Sequence, residues 1–282
     1  MRKDLFPRFP EGRAKALTFS YDDGNVQDRR LIELLDQHGM KGTFNINSGL
    51  FRREDQAKSN RLTEREALDL FGNGNHEVAV HALNHPFLDC LPMAAVTQEI
   101  VDDRRNIERM FGKITRGMAY PYGTSVATEA VMSALKSCGI VYSRTTESTE
   151  KFDLPTNWLR WPATCKHTCP RLSELAQQFL ALTVKDRPKL FYLWGHTYEF
   201  DNDNNWDVIE KFIADMAGKE DTVWYATNIE IYEYMEDFNR LLFSVDCSFV
   251  KNPTCRKLWF QFNKELYSIE PGETLSLVKT GK

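Results

Sequence analysis

The sequence predicts an α/β fold, a (β/α) barrel followed by a small C-terminal antiparallel β appendage. Three observations predict it. Short apolar runs alternate with stretches of helical period up to about residue 230, a βαβα rhythm that calls for a parallel sheet covered by helices. About seven such units are present, which favours a barrel over an open doubly wound sheet. Beyond residue 230 the pattern changes to short strand-like runs separated by Asn252-Pro253 and Pro271-Gly272 turns.

The elements follow in order. Residues 16–20 read as a buried strand ending at the Asp23-Gly24 turn. Residues 29–38 carry Leu31, Ile32, Leu34 and Leu35 on a helical stripe, with Gly39 as C-cap. Residues 43–46 form the next strand. Thr63-Glu64-Arg65-Glu66 is a capping box opening a helix through Phe71, because hydroxyl and carboxylate each satisfy an orphan amide of the first turn. The Gly72-Asn73-Gly74-Asn75 turn leads into a strand at 77–80. A helix at 93–111, a strand at 117–120, a helix at 128–137 and a strand at 141–143 follow. The alternation ends with a helix at 173–182, a strand at 190–194 and a helix at 205–216. Strands are expected after that at 241–248, 256–262, 266–269 and 274–278. The expected domains are a barrel over 1–232 and a β appendage over 233–282. The appendage strands, roughly 40 residues, are fewer than usually fold alone, so they should pack on the barrel.

Composition narrows the function. The chain has 282 residues, 42% hydrophobic and 27% charged, which is ordinary globular usage. Its net charge is −4 and no basic block occurs, which argues against a nucleic-acid partner. No apolar run is long enough to span a bilayer. Met1-Arg2-Lys3-Asp4-Leu5-Phe6-Pro7 lacks the apolar core of a secretory leader, so a cytoplasmic location is expected, or a secreted one if a leader has been removed. Six cysteines are too sparse for a disulfide framework. Cys165-Lys166-His167-Thr168-Cys169 has the look of a zinc loop, but no second ligand pair lies near it in sequence, and incidental cysteines are favoured.

In a parallel barrel, active sites lie at the strand C-termini. Three strands end in metal-binding groups: Ser20-Tyr21-Asp22-Asp23-Gly24, His81-Ala82-Leu83-Asn84-His85-Pro86, and Trp194-Gly195-His196. His81 and His85 are spaced i, i+4, which on one helical turn points both imidazoles at one ion. Two histidines and one carboxylate leave coordination positions open, as a catalytic divalent metal requires. Each piece alone has a plainer reading as a surface turn, an incidental pair or a core histidine. Their joint placement at strand ends strengthens the functional one.

Four segments in order, Ser20-Tyr21-Asp22-Asp23-Gly24, Gly39-Met40-Lys41-Gly42-Thr43-Phe44, the run from Asn75 to Pro86, and Tyr120-Pro121-Tyr122-Gly123, resemble the motifs of the polysaccharide deacetylases, the NodB-homology domain or carbohydrate esterase family 4. The resemblance covers roughly residues 14–230. It implies a distorted barrel and one divalent metal, commonly Zn2+, held by Asp23, His81 and His85. It implies that Asp22 is the general base for a metal-activated water, that the backbone N–H of Tyr122 and the metal stabilise the oxyanion, and that His196 is the general acid. The substrate implied is an acetylated carbohydrate, N-acetyl before O-acetyl.

The chain departs from the family at Ala119, where most members carry an Arg that pairs with the catalytic base. Arg160 is the first replacement candidate, ahead of Arg116 and Arg144; a rim charge without a catalytic part is the equal alternative. Glu199 is expected to orient a water or the substrate amine. Among the aromatic residues, Trp194 reads as core, and Tyr122 and Trp161 as groove residues that stack on sugar. His76 reads as structural, His38 as a helix-end residue and His167 as either rim or exposed. Two other functions stay open: hydrolysis of a non-sugar amide on the same barrel, and non-catalytic carbohydrate binding.

Overall fold

The structure is a computed structural model that describes residues 4–56 and 59–278. In chain order its first half comprises β1 (Leu5–Arg8), β2 (Lys15–Asp22), α1 (Asp28–Gln37), β3 (Gly42–Ile46), α2 (Glu64–Phe71), β4 (Glu77–Val80), α3 (Met93–Phe111), β5 (Gly117–Ala119), α4 (Glu129–Ser137) and β6 (Tyr142–Ser148). Then come β7 (Trp161–Ala163), β8 (Cys165–Lys166), α5 (Leu172–Ala181), β9 (Lys189–Gly195), α6 (Tyr198–Asn202), α7 (Trp206–Met216), β10 (Val223–Tyr225) and α8 (Asn228–Asn239). The chain finishes with β11 (Leu242–Phe243), β12 (Phe249–Lys251), β13 (Leu258–Phe262), β14 (Glu265–Ile269) and β15 (Thr274–Ser276).

The central sheet is parallel, in the order β7-β6-β5-β4-β3-β2-β9-β8, with β10 also against β2. Its two ends, β7 and β8, are separated only by Thr164. Thr149 N–H donates to Ala163 O on one side (3.0 Å), and Thr164 N–H donates to Tyr192 O on the other (2.9 Å). One irregular segment therefore closes the sheet, and the barrel is distorted there.

Strand β2 sets the orientation of the site. All eight of its residues are buried. Leu17, Phe19 and Tyr21 pack outward with α1, α5 and α7. By the period of two, Thr18, Ser20 and Asp22 point into the barrel. There Thr18 Oγ1 donates to Asn228 Oδ1 (2.8 Å) and Asn45 Nδ2 donates to Ser20 Oγ (2.9 Å), so a hydrogen-bonded polar column leads up to Asp22.

The C-terminal strands form two small antiparallel sheets, β1-β13-β14 and β11-β12-β15. The N-terminal strand thus belongs to the appendage layer, and the expected boundary at 232 falls inside α8. Tyr234 of α8 ties both together: its hydroxyl donates to Arg8 O (2.8 Å) and accepts from Trp259 N–H (3.0 Å). Phe9, Ile231, Tyr234, Leu258 and Phe260 share one core with Tyr142, Trp161 and Tyr192 of the barrel. Helix α8 was not expected, although Thr227 and Glu230 form a capping box like that of α2. The expected strand at 241–248 is broken, because Ser244 and Asp246 accept the Ser248 N–H (2.9 and 3.0 Å) and fold a turn between β11 and β12. Among the described residues no helix is long and apolar enough to cross a membrane.

Candidate active site

The C-terminal ends of β2, β4, β5 and β9 deliver Asp22 and Asp23, His81, Tyr122 and His196 to one rim. Asp22 is buried. Asn45 Nδ2 donates to its Oδ1 (2.9 Å), and Arg144 donates to its Oδ2. His81 Nε2 and His196 Nε2 each lie 3.9 Å from Oδ2. Burial pushes the Asp22 pKa up, but the Arg144 guanidinium and the two imidazoles outweigh it and hold the carboxyl below its usual range.

Arg144, not Arg160, meets Asp22. Arg160 is exposed and donates to Ala127 O (3.3 Å). Arg144 is fully buried, with Trp194 beneath its guanidinium at 4.4 Å. It is the ladder partner of Ala119 on the neighbouring strand. The small side chain at 119 leaves the space through which Arg144 reaches the base.

Asp23 has φ +85, the left-handed region, which turns its carboxylate away from that of Asp22. Its Oδ1 is buried and accepts no hydrogen bond, although Arg61 Nη2 lies 3.2 Å away. That oxygen is 3.9 Å from His81 Nε2 and 3.9 Å from His85 Nε2. His81 Nδ1 lies 2.8 Å from Ala119 O, so the proton sits on Nδ1 and the Nε2 lone pair faces Asp23. Burial pulls the His81 pKa down to about 4 against the pull of the aspartates. Burial lowers His85 as well. Both imidazoles are therefore neutral near pH 7, the form that binds a metal. Among the described residues, Asp23, His81 and His85 are the one group of three ligand side chains whose donor atoms converge, all within 4.8 Å of one another. A buried carboxylate oxygen that accepts no hydrogen bond, facing the Nε2 atoms of two neutral imidazoles, fits a divalent cation.

The histidine pair does not ride on a helical turn. Residues 81–86 form an irregular loop, and Ala82 and His85 have φ of +59 and +55. Other groups hold this strained backbone. Asn47 Nδ2 donates to Ala82 O (2.7 Å), Asn84 N–H donates to Glu99 Oε2 (2.8 Å), and His81 N–H donates to Asp103 Oδ2 (3.0 Å).

Glu199 lies behind His196, not toward a substrate. Its carboxylate accepts from Lys166 Nζ (2.6 Å) and lies 3.1 Å from His167 Nε2 and 3.4 Å from His196 Nδ1. Burial would raise its pKa, but His167, His196 and Lys166 depress it strongly. For His196, burial lowers the pKa, while Glu199, Asp22 and Asp23 raise it further, so the net shift is upward. His167 is buried, stacked on Tyr21 at 5.7 Å. Lys166 and His167, from the suspected zinc loop, thus grip the carboxylate that faces His196.

Trp161 is buried in the second core against Tyr142, Trp158 and Tyr192, and has no face free for a sugar. Trp194 is core, as expected. Tyr122 is half exposed, with φ +57, next to His85. His76 is structural: its Nδ1 accepts Gly42 N–H (3.1 Å) and its Nε2 lies 3.2 Å from Asp36. Asp103 was missed, although it falls on the apolar stripe Val96-Ile100-Asp103-Ile107 of α3, where a carboxylate needs a reason.

Residues 10–143 match the polysaccharide deacetylase family. That segment, just under half of the chain, is similar to the polysaccharide deacetylases of the NodB-homology group. No curated protein matches the sequence. Among solved structures, the Xyl-CE4 domain of a multidomain xylanase from the hindgut metagenome of Trinervitermes trinervoides is 13% identical, with a TM-score of 0.52 over 79% of this chain and 92% of that one. A family 4 acetyl xylan esterase from Clostridium thermocellum, in complex with a cobalt ion, is 13% identical, with a TM-score of 0.51 over 78% of this chain and 91% of that one. Both share the deacetylase fold. The Streptococcus pyogenes deacetylase PplD, in complex with acetate, is 20% identical, with a TM-score of 0.41, and the match covers 46% of this chain and 55% of that one.

Proposed function

We propose that this chain removes N-acetyl groups from a carbohydrate by hydrolysis that depends on a divalent metal, with zinc the first choice. The observation that carries the reading is the convergence of the buried Oδ1 of Asp23, which accepts no hydrogen bond, with His81 Nε2 and His85 Nε2. Asp23, His81 and His85 would hold the metal, which when bound acidifies water and polarises a carbonyl.

The chain's own residues supply the proton transfers. Asp22, kept ionised by Arg144, is the base that takes a proton from the attacking water. The Tyr122 N–H is the donor offered to the carbonyl oxygen as negative charge develops there. His196, whose pKa burial lowers but Glu199 and the aspartates raise above the usual imidazole value, is the acid that gives a proton to the leaving nitrogen. That donation is needed because a bare amide anion leaves poorly. Base and acid face each other across 3.9 Å with their pKa values pushed apart, the pattern of a committed acid–base pair.

Acetate release from N-acetylglucosamine oligomers, compared with acetylated xylan and a panel of small amides, tests the reading. Metal-dependent release from the glucosamine series, lost in Asp22→Asn, is the expected result. Turnover confined to the small amides would overturn it.

A further inference from the structure

The geometry points to Phe87 and Tyr122 as a two-ring platform that binds a pyranose of an oligosaccharide, one sugar out from the residue being deacetylated. The assignment rests on the carbohydrate reading above and deepens it. The two rings are stacked in parallel, 3.6 Å between centroids at an interplanar angle of 6°. They stand at the surface: Phe87 is 50% and Tyr122 48% exposed. The edge of the stack meets the metal-site loop, with the Tyr122 ring 4.7 Å from that of His85. Tyr122 and His85 both have left-handed backbone, uncommon for a tyrosine.

Two aromatic rings left half in water forgo much of the burial available to them. Trp161, Trp194 and Trp206 offer no alternative, because all three are buried. With one face of Tyr122 covered by Phe87, the free flat surface is the outer face of Phe87. A pyranose presents an apolar C–H face of that size and no charge. The stack is continuous with His85, so a sugar on Phe87 belongs to the same chain as the sugar at the metal site, which decides for an oligosaccharide over a second copy of the protein.

The test measures binding and kinetics on the zinc-loaded full chain. N-acetylglucosamine and its trimer are titrated calorimetrically into Asp22→Asn protein with Phe87, Phe87→Ala or Phe87→Trp. In parallel, KM and kcat are taken with Asp22 intact, which covers the case that Asp22→Asn fails to fold. Phe87→Ala should weaken the trimer about tenfold and raise its KM to match, with kcat and monosaccharide binding changed less than about twofold. Phe87→Trp should keep trimer affinity. If no acetate is released but Phe87→Ala still weakens the trimer, the platform stands and the deacetylase reading falls. The platform is overturned if the trimer does not bind the Phe87 chain, if Phe87→Ala leaves it unchanged, or if monosaccharide and trimer weaken equally. A shift from dimer to monomer in Phe87→Ala on size exclusion would also overturn it, because the rings would then join two copies.

Discussion

Arg144 faces Ala119 across the β5–β6 ladder, and its guanidinium closes on the carboxylate of Asp22. Arg144 thus holds Asp22 from the strand beside Ala119. Arg144→Ala should lower kcat about 100-fold, within the range that general-base catalysis contributes. It should also destabilise the fold by about 3–5 kcal/mol, since the buried carboxylate loses its partner. Burial would then act on Asp22 with less opposition, so the acid limb of the pH–rate curve should move to higher pH. The swap Ala119→Arg with Arg144→Ala should recover part of both, read by kcat/KM and urea unfolding. A single variant at 144 with unchanged rate and pH limb would refute the pairing.

Metal removal is the second prediction. A chelator should abolish turnover, and zinc should restore it in the unaltered chain but not in His81→Ala or Asp23→Ala. At 100 times its Kd the metal should stabilise the fold by about 2.7 kcal/mol, visible as a rise in Tm that both variants lack. Protons compete for His81 only as pH falls toward about 4, so zinc affinity should hold through neutrality and collapse in acid. Equal Tm gains in the chain and both variants would place the ion elsewhere.

The parts of this site that the sequence displays are those fixed by short-range spacing. Asp22 ends β2, Asp23, His81 and His196 each follow directly on a strand, and His85 comes four residues after His81, so finding the strands locates them. Arg144 is invisible to that logic, because its meeting with Asp22 depends on the register between β5 and β6 and on the space left at Ala119. Trp161 was misread for a related reason. A tryptophan next to a polar rim looks the same in sequence whether it points to solvent or, as here, into the core with Tyr142 and Tyr192. Glu199 was noticed for its position three residues after His196, but its role reversed once Lys166 and His167 were seen behind it. The pairing of β1 with β13 joins residues at opposite ends of the chain, and no local pattern reports it.

The Glu199–His196 contact yields the third prediction. Glu199→Gln removes the carboxylate that most raises the His196 pKa, so that pKa should drop and the basic limb of kcat should move to lower pH. The rate loss should be about tenfold larger at pH 8 than at pH 6. The sign for stability is fixed as well. A histidine with a raised folded pKa stabilises fully below its unfolded value near 6.5 and loses that contribution as pH rises through the folded value. Glu199→Gln should therefore cost more stability at pH 6 than at pH 9. A uniform loss of rate across pH would reduce Glu199 to a packing role.

Asp103 supplies the last prediction. It is fully buried in α3 and holds two loops of the site, accepting Ser48 N–H (2.8 Å) and His81 N–H (3.0 Å). Burial pushes its pKa up to about 7, against the donors that favour the ionised form. A carboxyl whose folded pKa is raised binds more protons folded than unfolded. Its contribution is fully present below the unfolded value of 3.8 and is lost as pH rises through about 7. The stability advantage of the native chain over Asp103→Asn should thus shrink as pH rises from about 4 to about 7 and level off above that, measured as the difference in Tm. Asp103→Ala should cost about 1–3 kcal/mol for each amide left unpaired. Because one of those amides belongs to His81, it should also weaken zinc binding by about 10- to 100-fold, the usual effect of losing a group that orients a ligand. Competition with a zinc-binding dye separates the two consequences: lost stability with full zinc affinity would show that Asp103 braces α3 but not the metal site.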